Sequence, residues 1–209
     1  MKKRKIRILV VDDHFVVRMG LCGSINMEED MMVVAEASNG QQAIQLYRQQ
    51  SPDIVLMDLR LPTMDGIVTA MTICKEYSEV RIIMLSTYDG DEEIYRSFQA
   101  GARSYLLKST SREELLAAIR AVHSGQRYIP PAVAARLAER VPFSELSSRE
   151  MEVLRLIVKG MSNKEIAAAL SIAEVTTKLH VGHILSKLKV NDRTQAATSA
   201  LQRGIIRLA

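Results

Sequence analysis

Asp12-Asp13, Asp58, Ser86 and Lys108 are scattered through the chain. Each nevertheless stands at or just past the end of a short apolar run: Ile6 to Val11, Ile54 to Met57, Arg81 to Leu85 and Ser104 to Leu107. Runs this short, rich in β-branched residues or leucine, predict buried parallel strands rather than helices. In an open α/β sheet the C-terminal strand ends line one crevice, so these residues are expected to meet there. Three gathered carboxylates repel one another and need a compensating cation, and oxygen ligands of this kind suit Mg²⁺ or Mn²⁺. With Asp12, Asp13 and Asp58 around the metal, Asp58 can attack a phosphoryl donor as a carboxylate nucleophile and become an aspartyl phosphate. Lys108 would neutralise one phosphoryl oxygen and Ser86 would donate a hydrogen bond to another.

The elements that must position these residues alternate. Helical spacing over Phe15 to Met27 (Val16, Val17, Leu21, Ile25) is followed by a strand over Met32 to Ala37. Further helical patterns at about 41–50, 66–77, 91–100 and 112–124 follow successive strands. Five β-α units over residues 1–125 imply a parallel sheet with helices on both faces. Ser111-Arg-Glu-Glu114 fits a capping box, and Ser124-Gly125 fits a helix stop. Residues 126–143 then read as a linker, with Pro130, Pro131 and Pro142 around a short helical piece, Val133 to Arg140. Beyond it, residues 144–209 predict a small all-α domain of four helices at about 148–159, 163–170, 175–188 and 194–203. Capping boxes stand at Ser147-Ser-Arg-Glu150 and Ser162-Asn-Lys-Glu165, and Gly160 and Gly204 sit where helices stop.

A chain of 209 residues, 47% of them hydrophobic, can bury one large core or two small ones. No apolar run reaches the roughly 18–20 residues of a membrane span, and the basic start leads into a strand too short for a signal-peptide core. A cytoplasmic protein without membrane contact is expected. Cys22 and Cys74 lie in helical, largely apolar stretches and read as reduced structural thiols. Residues 1–141 carry 18 basic against 18 acidic residues, whereas residues 142–209 carry 10 against 6. The surplus permits a nucleic-acid partner without demanding one.

The segment Asp58-Leu-Arg-Leu-Pro-Thr-Met-Asp-Gly66, the Asp12-Asp13-His14 step and Gly101-Ala-Arg-Ser-Tyr-Leu-Leu-Lys108 together resemble the receiver domain of two-component response regulators, over about residues 5–125. The resemblance implies a flavodoxin-like, doubly wound sheet of five parallel strands. It makes Asp58 the phosphoacceptor, Asp12 and Asp13 metal-binding acids, Ser86 the hydroxyl switch residue, Lys108 the phosphate-contacting lysine and Tyr105 the aromatic switch. His14 reads as a surface histidine beside the site. Arg60 and Tyr88 match positions that resemble gatekeepers for the hydrolytic water.

In the C-terminal segment, the helices at 163–170 and 175–188 are separated by a short turn, the spacing of a helix-turn-helix, although an unrelated bundle shows similar periodicity. Leu146-Ser-Ser-Arg-Glu150, Gly160-Met-Ser-Asn-Lys-Glu-Ile-Ala168, Thr176-Thr-Lys-Leu-His180 and Lys187-Leu-Lys-Val-Asn-Asp-Arg193 resemble the LuxR-type helix-turn-helix of NarL/FixJ response regulators. By that resemblance Lys178 and Leu179 face the major groove, toward a guanine edge and a thymine methyl. Lys164, Thr176 and Lys187 are candidate phosphate contacts, with His180 and His183 near the backbone. Ala173 stands where the family has a capping Ser, Thr177 where it has Val, and Gly182 where some relatives have a basic contact.

The whole reads as a regulator phosphorylated by a sensor histidine kinase, dimerising on activation, binding promoter DNA and performing no catalysis beyond its own phosphorylation and slow dephosphorylation. The helix at about 194–203 is the expected contact between DNA-binding domains. Two rivals use the same residues: a phosphorylation-independent DNA binder, and a metal-dependent aspartyl phosphatase. Arg60 counts against the phosphatase, because it stands where a second acid would be needed.

Overall fold

The computed structural model describes residues 4–87, 90–139 and 146–206. Tyr88, Arg140 and Pro142, which figure in the sequence expectations, lie outside them.

The described residues fall into two compact units. In the first, strands and helices alternate as β1 (Ile6–Val11), α1 (Phe15–Asn26), β2 (Met31–Ala37), α2 (Gly40–Gln50), β3 (Ile54–Asp58), α3 (Gly66–Glu76), β4 (Ile82–Ser86), α4 (Asp91–Gln99), β5 (Ser104–Leu107) and α5 (Arg112–His123). All strand pairs are parallel, in the order β2-β1-β3-β4-β5. The chain leaves β1 toward one edge and returns as β3 on its other side. The carboxyl ends of β1 and β3 therefore form the switch point at which open α/β sheets hold ligands.

Alternation along each strand splits the core into two layers. Leu9, Val11, Val55, Met57, Ile82, Met84 and Tyr105 point one way, toward Ala43 and Tyr47 of α2, Ala70 and Ile73 of α3 and Ile94 of α4. Ile8, Val10, Ile54, Leu56, Ile83, Leu85 and Leu106 point the other way, toward Cys22 and Ile25 of α1 and Leu115 and Ile119 of α5. With apolar cover on both faces, the central strands have no reason to alternate with polar residues, and so they read as continuous apolar runs. Both cysteines are free, and burial pushes the Cys22 thiol up to about 12, the behaviour of an inert core residue.

Two expectations need correction. Ser111 caps α5 by accepting from the Glu114 amide at 3.2 Å, but the reciprocal half of the box is missing: Glu114 accepts instead from the Tyr128 hydroxyl at 3.4 Å. The short helix between the domains forms as α6 (Pro131–Glu139), yet it is not a free connector. Val133 is buried in the core on the α2–α3 side, and the Tyr128 amide donates to Arg103 O at 3.1 Å, so the apolar positions of this stretch extend the first unit.

The second unit contains α7 (Ser148–Val158), α8 (Asn163–Leu170), α9 (Glu174–Leu188) and α10 (Arg193–Gln202), packed around Val153, Leu154, Ile157, Ile166, Ile184, Leu188, Ala196 and Ala200. The capping boxes at Ser147/Glu150 and Ser162/Glu165 are both complete. Gly160 and Gly204 adopt left-handed φ values of 82° and 71° just past α7 and α10. The start of α9 is weaker. Ala173 at its N-cap makes no side-chain bond, and Thr177 is fully buried with its Oγ1 unpartnered.

An unpaired buried hydroxyl costs about 1–3 kcal/mol, while a methyl in its place keeps the shape. Thr177→Val is therefore expected to stabilise the C-terminal unit by about 1–2 kcal/mol on that scale. Urea unfolding should show a raised midpoint at an unchanged slope.

Candidate functional site

β1 ends at Val11 and delivers Asp12 and Asp13 into the crevice, and β3 ends on Asp58 itself. β4 ends on Ser86, which lies in register with Leu107 of β5, so Lys108 is the first residue past the sheet on that side. The Lys108 amide continues the ladder by donating to Ser86 O at 2.7 Å. All four predicted groups thus meet at the carboxyl ends of three neighbouring strands and the edge strand β5.

Asp12, Asp58 and Ser86 are essentially inaccessible, at 0%, 2% and 1% exposure, whereas Asp13 opens to solvent. The Lys108 ammonium sits between the two buried acids, 2.7 Å from Asp12 Oδ2 and 2.9 Å from Asp58 Oδ2. Burial alone would lower Lys108, but its ion pairs with Asp12 and Asp58 outweigh that and hold it above its ordinary value. Burial pushes Asp58 above the ordinary carboxylate range; Lys108 pulls it down and the negative charge of Asp12 adds to the rise.

Three carboxylates face one ammonium. Asp12, Asp13, His14 and Asp58 each offer a ligand atom within 4.8 Å of the others. Asp12 Oδ2 and Asp58 Oδ2 touch Lys108 only as ion pairs and accept no hydrogen bond of proper geometry, which leaves lone pairs over. This donor set fits a hard divalent cation. Asp12, Asp13 and Asp58 would hold it, and the chemistry it supplies when bound is neutralisation of phosphoryl oxygens. His14 stands at the rim, with Nδ1 2.7 Å from Asp13 Oδ1 and its amide donating to Asp12 Oδ1 at 2.9 Å. Arg60 follows Asp58 closely, its amide donating to Asp58 Oδ1 at 3.2 Å. Tyr105 is fully buried, its ring inside the core.

Two supporting residues escaped the sequence reading. Arg18 of α1 donates from Nη1 to Asp12 O at 2.6 Å and so holds the backbone of the acidic step. Gly66 opens α3 where a Cβ would lie 2.0 Å from Asp58 O, so only glycine permits this approach to the end of β3. The Asp65-Gly66 pair at the helix start was the visible signal, and Asp65 does cap α3 by accepting from the Ile67 amide at 2.7 Å.

In the second unit, Lys178 and Leu179 are exposed on α9, with Thr176 half-buried beside them. Lys178 pairs with Glu174 at 3.0 Å, an exposed i,i+4 contact worth only about 0.3–0.5 kcal/mol. Lys164 is exposed near the start of α8. Lys187 has a different environment: its Nζ lies 2.6 Å from Oε2 of Glu150, the oxygen that also accepts from the Ser147 amide at 2.7 Å. His183 Nδ1 lies 3.7 Å from Glu150 Oε1. One buried carboxylate thus joins the start of α7 to the end of α9.

Asp58 and Glu150 have opposite pH signatures. Because the folded chain protonates Asp58 more readily than the unfolded chain does, the stability it contributes is present below about pH 3.9 and is lost as pH rises through its raised folded value. Asp58→Asn removes that loss, so its stability advantage over the parent should grow from acid to neutral pH in paired urea titrations. Glu150 behaves oppositely. Burial alone would raise it, but Lys187 and the Ser147 bonds hold it below the ordinary range. Its stabilisation is therefore present above about pH 4.3 and is lost as pH falls through the lowered folded value. Glu150→Gln should flatten that acid arm of the C-terminal unit's unfolding curve.

The response regulator receiver domain model matches residues 8–120, and the model for bacterial regulatory proteins of the luxR family matches residues 144–200. The response regulator protein VraR of Staphylococcus epidermidis is 40% identical, and the transcriptional regulatory protein LiaR of Bacillus subtilis 41%. Each alignment covers 96% of this chain and 99% of the relative. Among solved structures, the response regulator ChrA of a heme-sensing two-component system aligns at 38% identity and a TM-score of 0.60, over 98% of this chain and 100% of that one. The RcsB–DNA complex shares the fold at a TM-score of 0.70 and 23% identity, over 95% of this chain and 99% of that one. With an acidic crevice of receiver type on one unit and a helix-turn-helix on the other, the chain belongs to the two-component response regulators that join a receiver to a LuxR-type DNA-binding domain.

Proposed function

We propose that a sensor histidine kinase, or a small phosphodonor, phosphorylates Asp58 with Mg²⁺ bound by Asp12, Asp13 and Asp58, and that the phosphorylated protein dimerises on promoter DNA in the cytoplasm. The observation that carries this reading is the Lys108 ammonium held between Asp12 and Asp58. A phosphoryl group on Asp58 adds charge and acceptor oxygens beside the ammonium that now pairs with its carboxylate. Lys108 would follow the new oxygens and Ser86, at the end of the neighbouring strand, would donate to one of them. Tyr105 lies two residues before Leu107, the register partner of Ser86, so a shift of the β4 end is felt along β5. This is a two-state element biased by a local charge.

The protein acts as a switch rather than a turnover catalyst. Arg60, two residues after the nucleophile, offers no acid or base function, and its bulk beside Asp58 is suited to restricting water. The C-terminal unit supplies the output. Lys178 and Leu179 would enter the major groove, and Lys164 and Thr176 would fix the register on phosphates. A dimer suits paired half-sites about one helical turn, or a multiple of it, apart.

Selection of genomic DNA fragments by the purified protein, with and without Mg²⁺ and beryllofluoride at fixed salt, tests this. Paired half-sites should be enriched only with the mimic, and Asp58→Asn should abolish the difference. Equal enrichment in both samples would instead favour binding that ignores the acidic site. Release of many phosphates per protein from a small phosphodonor would favour the phosphatase reading.

A further inference from the structure

The outward stripe of α9 is less polar than a base-reading surface built on hydrogen bonds. Thr177, Ile184 and Leu188 are turned into the core. Val175, Lys178, Leu179 and Gly182, spaced i, i+3, i+4 and i+7, are all exposed and so share the opposite face. Val175 is 65% exposed and Leu179 60%, and neither belongs to the apolar cluster of this unit. Both are free to make contacts with a ligand, and neither carries a donor or acceptor on its side chain. Lys178 between them is the one cation of the stripe, and Gly182, with open space where its Cβ would be, adds no side chain to the next turn.

We propose that Val175 joins Leu179, whose thymine contact the family resemblance already implies, in an apolar reading pair that selects DNA half-sites by the C5-methyl groups of two thymines, which makes Val175 a specificity-determining residue. The inference rests on α9 being the recognition helix. The thymine methyl is the one apolar group larger than hydrogen on a standard major-groove edge, and it is the feature that side chains without polar atoms read by favourable contact. Residues four apart on a helix rise about 6 Å along its axis, close to two base-pair steps of about 3.4 Å each. The two thymines should accordingly lie within about three consecutive base pairs, on either strand. Lys178, on the same face, reaches a guanine edge or a phosphate beside them. Gly182 leaves the adjoining position unread and allows close backbone approach there.

The experiment uses the full chain with Mg²⁺ and beryllofluoride on its own selected site, with each thymine of one half-site replaced in turn by deoxyuridine. That exchange removes one methyl and preserves every hydrogen bond. Two positions should weaken binding by about fourfold each, the change for one buried methyl group, with the rest unaffected. Val175→Ala should become insensitive to uracil at one of them and Leu179→Ala at the other, both proteins still binding DNA. Indifference to uracil at every position, in a protein that binds the parent site, would overturn the reading pair while leaving the recognition helix in place. Loss of dimerisation without DNA in Val175→Ala Leu179→Ala, with unchanged base preference, would overturn it in favour of a protein contact. Failure to bind any fragment would remove the DNA-binding reading itself.

Discussion

The first unit turns on one ammonium between two carboxylates. Asp12 and Asp58 are among the least accessible residues of the protein, and two bare charges that deep would repel each other and resist desolvation. Lys108 relieves both problems while bonding neither acid with full hydrogen-bond geometry. The ion pair is only as useful as its placement. β1, β3 and β5 must end at one level, and the switch point must open between β1 and β3. The two core layers exist to hold those strand ends still, and Arg18 and Gly66 hold the local backbone of the acids. The result is a charged site whose buried carboxylates keep lone pairs unused.

The second unit solves a different problem with the same kind of interaction. Glu150 is buried and serves two helices through one oxygen, completing the cap of α7 while pairing with Lys187 at the far end of α9. Paired in this way, the carboxylate costs little, and α9 is docked at its C-terminal end. Its N-terminal end is left to packing alone, since Ala173 contributes no cap. Lys187, which by family likeness reads as a phosphate contact, thus has a structural partner within the domain.

Much of this was legible in the sequence because the signals were local. β1 and β5 run over the predicted residues, since strands buried on both faces appear as unbroken apolar runs bounded by polar ones. β3 and β4 run on to Asp58 and Ser86, because the ladder continues through a residue whose side chain is polar. The boxes at Ser147 and Ser162 formed because each needs only four consecutive residues. At Ser111 the same pattern half-failed, since Tyr128, fourteen residues on, competes for Glu114. The packing of Val133, the Glu150–Lys187 pair and the approach of Gly66 to Asp58 O were invisible for the same reason: each depends on where a distant backbone lies. The acidic site was found because the strand-end rule converts sequence position into spatial position.

The capless start of α9 has a consequence for the proposed binding of DNA. With Ala173 at the cap, Thr177 carrying an orphaned hydroxyl and Gly182 inside the helix, the N-terminal half of α9 lacks the capping that secures α7 and α8. It should open locally more often than α7 or α8, a difference that amide exchange resolves. If α9 reads DNA as proposed, ordering that half would cost entropy at each site, so a poor sequence, giving few contacts in return, would be released quickly. Under the proposed function, a helix held loosely at its N-terminal end and firmly at the other would thereby gain discrimination from dwell time as well as from its side chains.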